Sequence, residues 1–356
     1  MYKKILIIKF WALGDILMAT PLLRALKERY PGCSICWLVD SHFAGALEGN
    51  PLLDEVIRFD SGAWRRDYRY GKLAKYVDTG RRLRRCLTEK HFDLTICLTA
   101  EKWWMQWFMT APLSVGLFPS ETPGFLGRFF THAIPMPAKP KPHSTDHYLQ
   151  TIRALGETGD FDKRMVCTPT PQRVSEVDEF LAQQPGFDAA RPTIVLHPGT
   201  SQPGKCWPAS SYTGLIDILG PGCNFVITGS PAEEELAISI KQASKPAASV
   251  IVATGKLTEF GQTAALVSRA ALVVSGDTSL LHVASALETP LVGIYGSTRP
   301  GINEPLFGPR VLLYDDSVQC APCYKSSCPL KGADFMKCQA AVTPENTAAA
   351  VRSLMH

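Results

Sequence analysis

The stretch Arg269–Thr298, RAALVVSGDTSLLHVASALETPLVGIYGST, leaves this chain little freedom in how it folds. It opens with Ala271-Leu-Val-Val-Ser, an apolar, β-branched run of the kind that fills a buried parallel strand. Gly276-Asp277-Thr278-Ser279 breaks that run with a polar turn. A helical stretch, Leu280–Leu287, carries His282 and stops at Thr289-Pro290. Leu291-Val-Gly-Ile-Tyr then starts a second buried strand, ending in Gly296-Ser297-Thr298. In an open parallel sheet, ligands lie at the carboxyl ends of the strands. Free N–H groups at a helix start favour a phosphate there. Two small, hydroxyl-rich turns at adjacent strand ends therefore suit a nucleotide diphosphate.

The same rhythm fills the rest of the chain. Strands are expected at residues 4–9, 34–39, 55–59 and 93–98, then at 193–196, 224–228 and 250–253. Helices are expected from Asp15 to Tyr30 with a kink at Pro21, along 81–85, at 145–155, 172–184, 209–219, 233–241 and 258–268. Glu101–Met109 places Trp103, Trp104 and Trp107 at helical spacing. Residues 110–145, with seven prolines between 112 and 142, read as loop. Gly156–Pro171 is the candidate linker. At 356 residues the chain suits two domains of about 150–180 residues. The repeated βα rhythm makes both of them α/β, with a cleft between them.

Composition narrows the class. With 46% hydrophobic and 20% charged residues, the chain can bury full cores. No segment reaches the roughly 18 apolar residues that span a bilayer. The N-terminal run before Lys9 is too short for a signal peptide, so it is expected to be the first strand of a cytoplasmic chain. Lys and Arg outnumber Asp and Glu by 24 to 17 through residue 165, and fall behind by 13 to 16 beyond it. The first half either faces something anionic or shows ordinary scatter of surface charge. No recognition motif accompanies the basic residues, so a nucleic-acid partner is not expected.

Three places carry chemistry. Asp15, after Gly14 at the end of the first strand, can act as a general base toward an attacking hydroxyl or as a helix N-cap. The loop His197–Pro208 offers backbone N–H groups, the Thr200 and Ser201 hydroxyls and the Lys205 ammonium to a pyrophosphate. As a plain βα connection it would bind nothing. It contains no GxxxxGK[ST], and neither half contains GxGxxG. Asp277, Thr278, Ser279 and His282 gather at one helix start, either as ligands of a sugar nucleotide or as cap and packed helix residues. The interleaved aromatic and basic residues of 64–107 suit a lipid headgroup or phosphorylated glycan, or else a solvated helix face over core tryptophans. Cys320, Cys323, Cys328 and Cys338 have a spacing that either holds zinc or leaves reduced thiols, disulfides being disfavoured in a reducing cytoplasm.

Three blocks in order, KILIIKFWALGDILMATPLLRALKERYP, LHPGTSQPGKCWP and VVSGDTSLLHVASALETPLVGIYGST, resemble the ADP-heptose–lipopolysaccharide heptosyltransferases of glycosyltransferase family 9. The resemblance implies a GT-B fold, two Rossmann-like domains whose parallel sheets face across a cleft. An acceptor-binding domain would span 1–165 and a nucleotide-sugar domain 166–340, with a C-terminal helix at 341–356 packing back toward the first. It further implies metal-independent, inverting transfer of a heptose from ADP-L-glycero-D-manno-heptose to the inner core of lipopolysaccharide, with ADP-heptose as substrate and no cofactor. Asp15 falls on the family's catalytic Asp and Lys205 on the lysine that contacts the donor phosphates. Ser279 stands where the family has Gly, and Leu281 where it has a small polar residue. Donor binding is assigned to Thr200, Ser201, Lys205, Gly229, Asp277, Thr278, Ser279 and His282. Acceptor binding is assigned to Trp11, Gly14, Arg65 and Trp103, and no residue is assigned to a metal. Such an enzyme meets lipid A–core acceptors at the inner face of the inner membrane. The alternatives are transfer of another sugar, such as an N-acetylhexosamine, to a glycolipid, and a catalytically silent nucleotide- or glycan-binding module.

Overall fold

The computed structural model describes residues 2–355. Its contacts divide the chain between Val166 and Cys167 into two compact units, the division falling inside the Gly156–Pro171 stretch. The first unit runs β1 (Lys4–Ile8), α1 (Leu13–Ala19), α2 (Pro21–Arg29), β2 (Ser34–Asp40), β3 (Glu55–Phe59), α3 (Ser61–Arg69), α4 (Leu73–Glu89), β4 (Leu94–Cys97), β5 (Leu113–Leu117), β6 (His132–Ile134) and α5 (Ser144–Arg153). Its six strands are parallel, in the order β3-β2-β1-β4-β5-β6. Ile5 pairs with Ile35 on one side and Leu94 on the other. Helices cover both faces of such a sheet, which is why Ile5–Ile8 is an unbroken buried run.

The second unit runs α6 (Pro171–Ala182), β7 (Thr193–His197), α7 (Ala209–Leu219), β8 (Asn224–Ile227), α8 (Glu234–Ala243), β9 (Val250–Val252), α9 (Phe260–Arg269), β10 (Leu272–Gly276), α10 (Ser279–Ala286), β11 (Leu291–Ile294), β12 (Arg310–Leu313), α11 (Lys337–Ala340) and α12 (Pro344–Met355). Its sheet is also parallel, ordered β12-β11-β10-β7-β8-β9. Counted from its own first strand, each sheet has the doubly wound order 3-2-1-4-5-6. The strand order reverses between β1 and β4 in one unit and between β7 and β10 in the other. Ligands of such sheets bind at that reversal, outside the strand carboxyl ends.

Three expectations change. Pro21 does not kink one helix but starts a second: α1 closes at Thr20, whose hydroxyl donates to Leu17 O at 2.7 Å, and Pro21 takes the first position of α2. Residues 110–145 hold two strands, β5 and β6. Gly116, which makes β5 look broken, gives the Phe130 ring room against the backbone, where any Cβ would collide. The tryptophans at 103–108 lie on a 3₁₀ turn rather than an α-helix, with Trp104 and Phe108 in the core. The C-terminal helix spends its apolar face within the second unit: Ala348, Ala350 and Val351 join the core around α7, β10 and β11.

Candidate active site

Lys9 follows β1 directly. Its backbone N–H donates to Leu38 O at 3.2 Å, and its side chain is almost wholly buried. The ammonium turns back to Asp15, donating to Oδ2 at 3.0 Å. Asp15 is not a helix cap: α1 begins at Leu13, the capping position is Ala12, and Ala12 offers no side-chain hydrogen bond. Asp15 instead stands in the first turn, where a carboxylate complements the helix dipole. Lys9 fixes one carboxylate oxygen, while the side chain as a whole stays 35% exposed. Oδ1 has no hydrogen-bond partner among the described residues. Ala12 is held at φ 67°, a conformation an L-residue adopts at a cost of roughly 1–3 kcal/mol. Above the pair lies the Tyr148 ring of α5, its centroid 5.8 Å from the Lys9 nitrogen. Burial, and then the charges of Asp15 and Glu101, hold the Tyr148 hydroxyl un-ionised.

Trp11 and Arg65 meet beside this pair. Trp11 Nε1 donates to Ser61 Oγ at 3.0 Å, and the Arg65 guanidinium lies 5.0 Å over the indole while its Nε donates to Ser61 O at 3.2 Å. Ser61 is itself anchored, donating through both N–H and hydroxyl to buried Asp40. Burial alone would raise the Asp40 carboxyl, but hydrogen bonds from Ser61 and His42 bring it below the usual range. Gly14 is buried inside α1. Trp103 does not join the group: Trp104 packs edge-on against Trp11 at 5.5 Å, and Trp103 is 55% exposed.

In the second unit Lys205 and Asp277 come together from different βα turns. Lys205 Nζ donates to Asp277 Oδ2 at 2.7 Å, and Thr298 Oγ1, from the turn after β11, donates to the same oxygen at 2.8 Å. Asp277 is therefore not the cap of α10. Thr278 is, accepting from Leu280 N at 3.3 Å. The Lys205 loop crosses so close to β10 that a Cβ on Gly276 would come within 2.9 Å of the Lys205 carbonyl. Ser279 is the first residue of α10, and His282 is buried one turn later. Thr200 accepts from Gln202 N at 3.2 Å and turns the loop on itself, while Ser201 is exposed. Neither is bonded to the Lys205–Asp277 pair.

Lys9 and Glu233 escaped the sequence reading, and Thr298 entered it only as part of a hydroxyl-rich turn. The Glu233 carboxylate accepts from Ser230 N at 2.7 Å and Ser230 Oγ at 2.9 Å, a capping box legible as Ser-x-x-Glu. It occupies the space above Gly199 and Gly229, where a Cβ at either position would collide with it. Gly229 thus makes room for an acidic side chain at the end of β8. Its neighbour His197 has Nδ1 3.1 Å from Thr228 O. Burial depresses the His197 imidazole, and the Glu233 charge offsets part of that.

Within the second unit Lys205 can bind an anion, and within the first Asp15 can take a proton. Comparison with known proteins gives four further facts. The sequence model of glycosyltransferase family 9 (heptosyltransferase) matches residues 80–334. Lipopolysaccharide heptosyltransferase 1 of Pseudomonas aeruginosa is 26% identical over 333 residues, 91% of this chain and 87% of that one. Among solved structures, a family 9 glycosyl transferase from Veillonella parvula superposes with a TM-score of 0.81 at 23% identity, covering 99% of this chain and 97% of the other. The ADP-heptose lipopolysaccharide heptosyltransferase II of Escherichia coli does so with a TM-score of 0.76 at 21% identity, covering 99% and 98%. The structural likenesses establish the fold.

Proposed function

The chain belongs to glycosyltransferase family 9, and from that premise we propose that it moves a heptose from ADP-heptose to the inner core of lipopolysaccharide. One observation carries the reading. Asp15 and the Lys205–Asp277 pair each stand at the strand-order reversal of their own sheet, where a doubly wound fold binds its ligand. The work divides between the units. The first holds the acceptor, with Asp15 Oδ1 facing its hydroxyl and Trp11 and Arg65 supplying an apolar face and a positive charge. The second holds the donor, with its diphosphate beside Lys205 and the start of α10.

The step is a direct displacement. A bond forms from the acceptor oxygen to the anomeric carbon as the bond from that carbon to the phosphate oxygen breaks, inverting the centre. Asp15 takes the hydroxyl proton, and ADP departs with the electron pair. Its charge is met by the Lys205 ammonium and the positive end of the α10 dipole, so the proposed transfer uses no metal ion and no cofactor. Lys205 is held for this by Asp277, which Thr298 anchors in turn.

The acceptor is a lipid, and we place the enzyme at the inner face of the inner membrane. The surface we assign to that contact is α3–α4. Tyr68, Tyr70 and Leu73 are exposed there among Arg65, Arg66, Arg69 and Lys72, a composition suited to anionic headgroups. No helix among the described residues is long and apolar enough to cross a membrane.

The deciding experiment incubates the chain with ADP-heptose and lipopolysaccharide truncated before its first heptose or after it. The expected result is a mass gain of one heptose on one acceptor. Gain only with UDP-N-acetylhexosamine would replace the donor assignment, and no gain with either donor on any acceptor would remove the enzymatic one.

A further inference from the structure

Cys320, Cys323, Cys328 and Cys338 play no part in that mechanism, yet they line a single cavity of about 210 Å³ together with Gly204 and Ser297. Gly204 precedes Lys205, and Ser297 precedes Thr298. The cysteine segment is bonded to both turns. Ser326 O accepts from Gly204 N at 2.8 Å, Gln339 Nε2 donates to Gly204 O at 3.2 Å, and Tyr324 N donates to Ser297 O at 2.8 Å. Tyr324, Ser326 and Gln339 each lie within three positions of one of the four cysteines. The segment therefore holds the backbone on either side of the Lys205–Asp277–Thr298 triad.

We propose that the four thiolates bind one thiophilic divalent cation, of which zinc is the type, and that the ion locks the segment onto the donor-site turns. Cys-x2-Cys and Cys-x4-Cys bring three sulfurs from one loop, and Cys338 supplies the fourth from α11. Hydrogen-bond donors for metal-bound sulfur are in place. The Met336 N–H already reaches Cys328 Sγ at 3.4 Å, and the Ser297 hydroxyl on the cavity wall is buried with no partner of its own. No three of the described sulfurs lie within 4.8 Å of one another, so binding draws the loop inward around the ion and releases the thiol protons. The ion acts on the reaction only through the position of Lys205, which keeps it separate from the metal-free transfer proposed above.

The full-length protein is purified with zinc supplied, and its metal content and cobalt-substituted spectrum are recorded. One ion per chain and a sulfur-to-cobalt charge-transfer band are expected. Both are lost in Cys338→Ser and in Cys320→Ser, the latter at an exposed position that does not threaten folding. Removing the ion weakens ADP binding by calorimetry about tenfold, the scale on which residues around a metal site act. A chain that takes up no zinc, or one in which the four thiols are found paired as disulfides, overturns the site. Zinc that leaves ADP affinity unchanged overturns the lock. The ADP readout rests on the donor assignment, whereas the zinc content does not. A chain that binds zinc yet never binds ADP would therefore count against the function and not against the site.

Discussion

Each unit carries one Lys–Asp pair at its strand-order reversal, and the two pairs are built differently. In the first, Lys9 and Asp15 are six residues apart on one βα turn, the ammonium is buried and the carboxylate is a third exposed. In the second, Lys205 and Asp277 are 72 residues apart on different turns, and both are about one-fifth exposed. Burial tells which member is the tool. A buried lysine that holds one oxygen of an open carboxylate orients a base. A lysine and an aspartate equally accessible, with the aspartate also held by Thr298, present a cation whose position is set from behind. Under the proposed function, the same pair of residue types serves a hydroxyl in one unit and a phosphate in the other.

The largest break in this comparison is expected from Asp15→Asn. It keeps the size of the side chain and removes its basicity, so turnover should fall roughly thousandfold while ADP affinity stays as it was. A variant that turns over normally would make Asp15 no more than a dipole partner of α1.

Acid should weaken the first unit next. His147, one residue before Tyr148 on α5, is buried with its Nε2 unpartnered, and burial drops its pKa to about 4. The unfolded chain, with an ordinary histidine near 6.5, binds the proton more tightly between those values. Stability is therefore fully present above about pH 6.5, declines as pH falls toward 4, and flattens below. The loss is about 3 kcal/mol at most. Urea unfolding of the first unit, followed through its tryptophans from pH 7 to 4.5, should show this slope and should lose it in His147→Leu. A slope that survives the substitution assigns it to other groups.

How much of this was legible differs between fold and site for a physical reason. The long strands were read correctly because strands covered on both faces are continuous apolar runs, as in Ile5–Ile8 and Leu272–Val274. β5 was missed because a glycine, whose purpose is the Phe130 ring, breaks its apolar run, and β6 and β12 because they are half-exposed edge strands. Asp15, Lys205 and Asp277 could be picked from their loops, but the pairings could not. Nothing in Ile-Ile-Lys-Phe says that the ammonium of Lys9 turns back to the next helix instead of outward. Asp277 looks like a cap until the sheet order sets β10 beside β7. Glu233 was within reach, since Ser-x-x-Glu announces its box, but not that two glycines leave room for its carboxylate.

Lys205→Met probes the second pair. It keeps the stem and removes the cation, so kcat/KM should drop about a hundredfold, the scale of a lost donor at a developing negative charge. ADP affinity should drop with it. That simultaneous loss is what distinguishes a phosphate ligand from a base. If ADP affinity were untouched, Lys205 would be serving Asp277 and not the donor.

The smallest and sharpest effect is expected from Lys9→Met. Its stem can still lie against Tyr148, and Asp15, being partly exposed, can turn to water when the ammonium is gone. The fold should therefore lose only about 1 kcal/mol. What the carboxylate loses is its bearing, so kcat should fall about tenfold with donor KM unchanged, one decade corresponding to about 1.4 kcal/mol of barrier. If Lys9 acts solely by aiming Asp15, the double variant Lys9→Met/Asp15→Asn will be no slower than Asp15→Asn alone, because residues that work as a unit are not additive. If the two losses multiply instead, Lys9 touches the reactants by itself. The two units would then carry the same kind of lysine, and the contrast in burial between their pairs would say nothing about their roles.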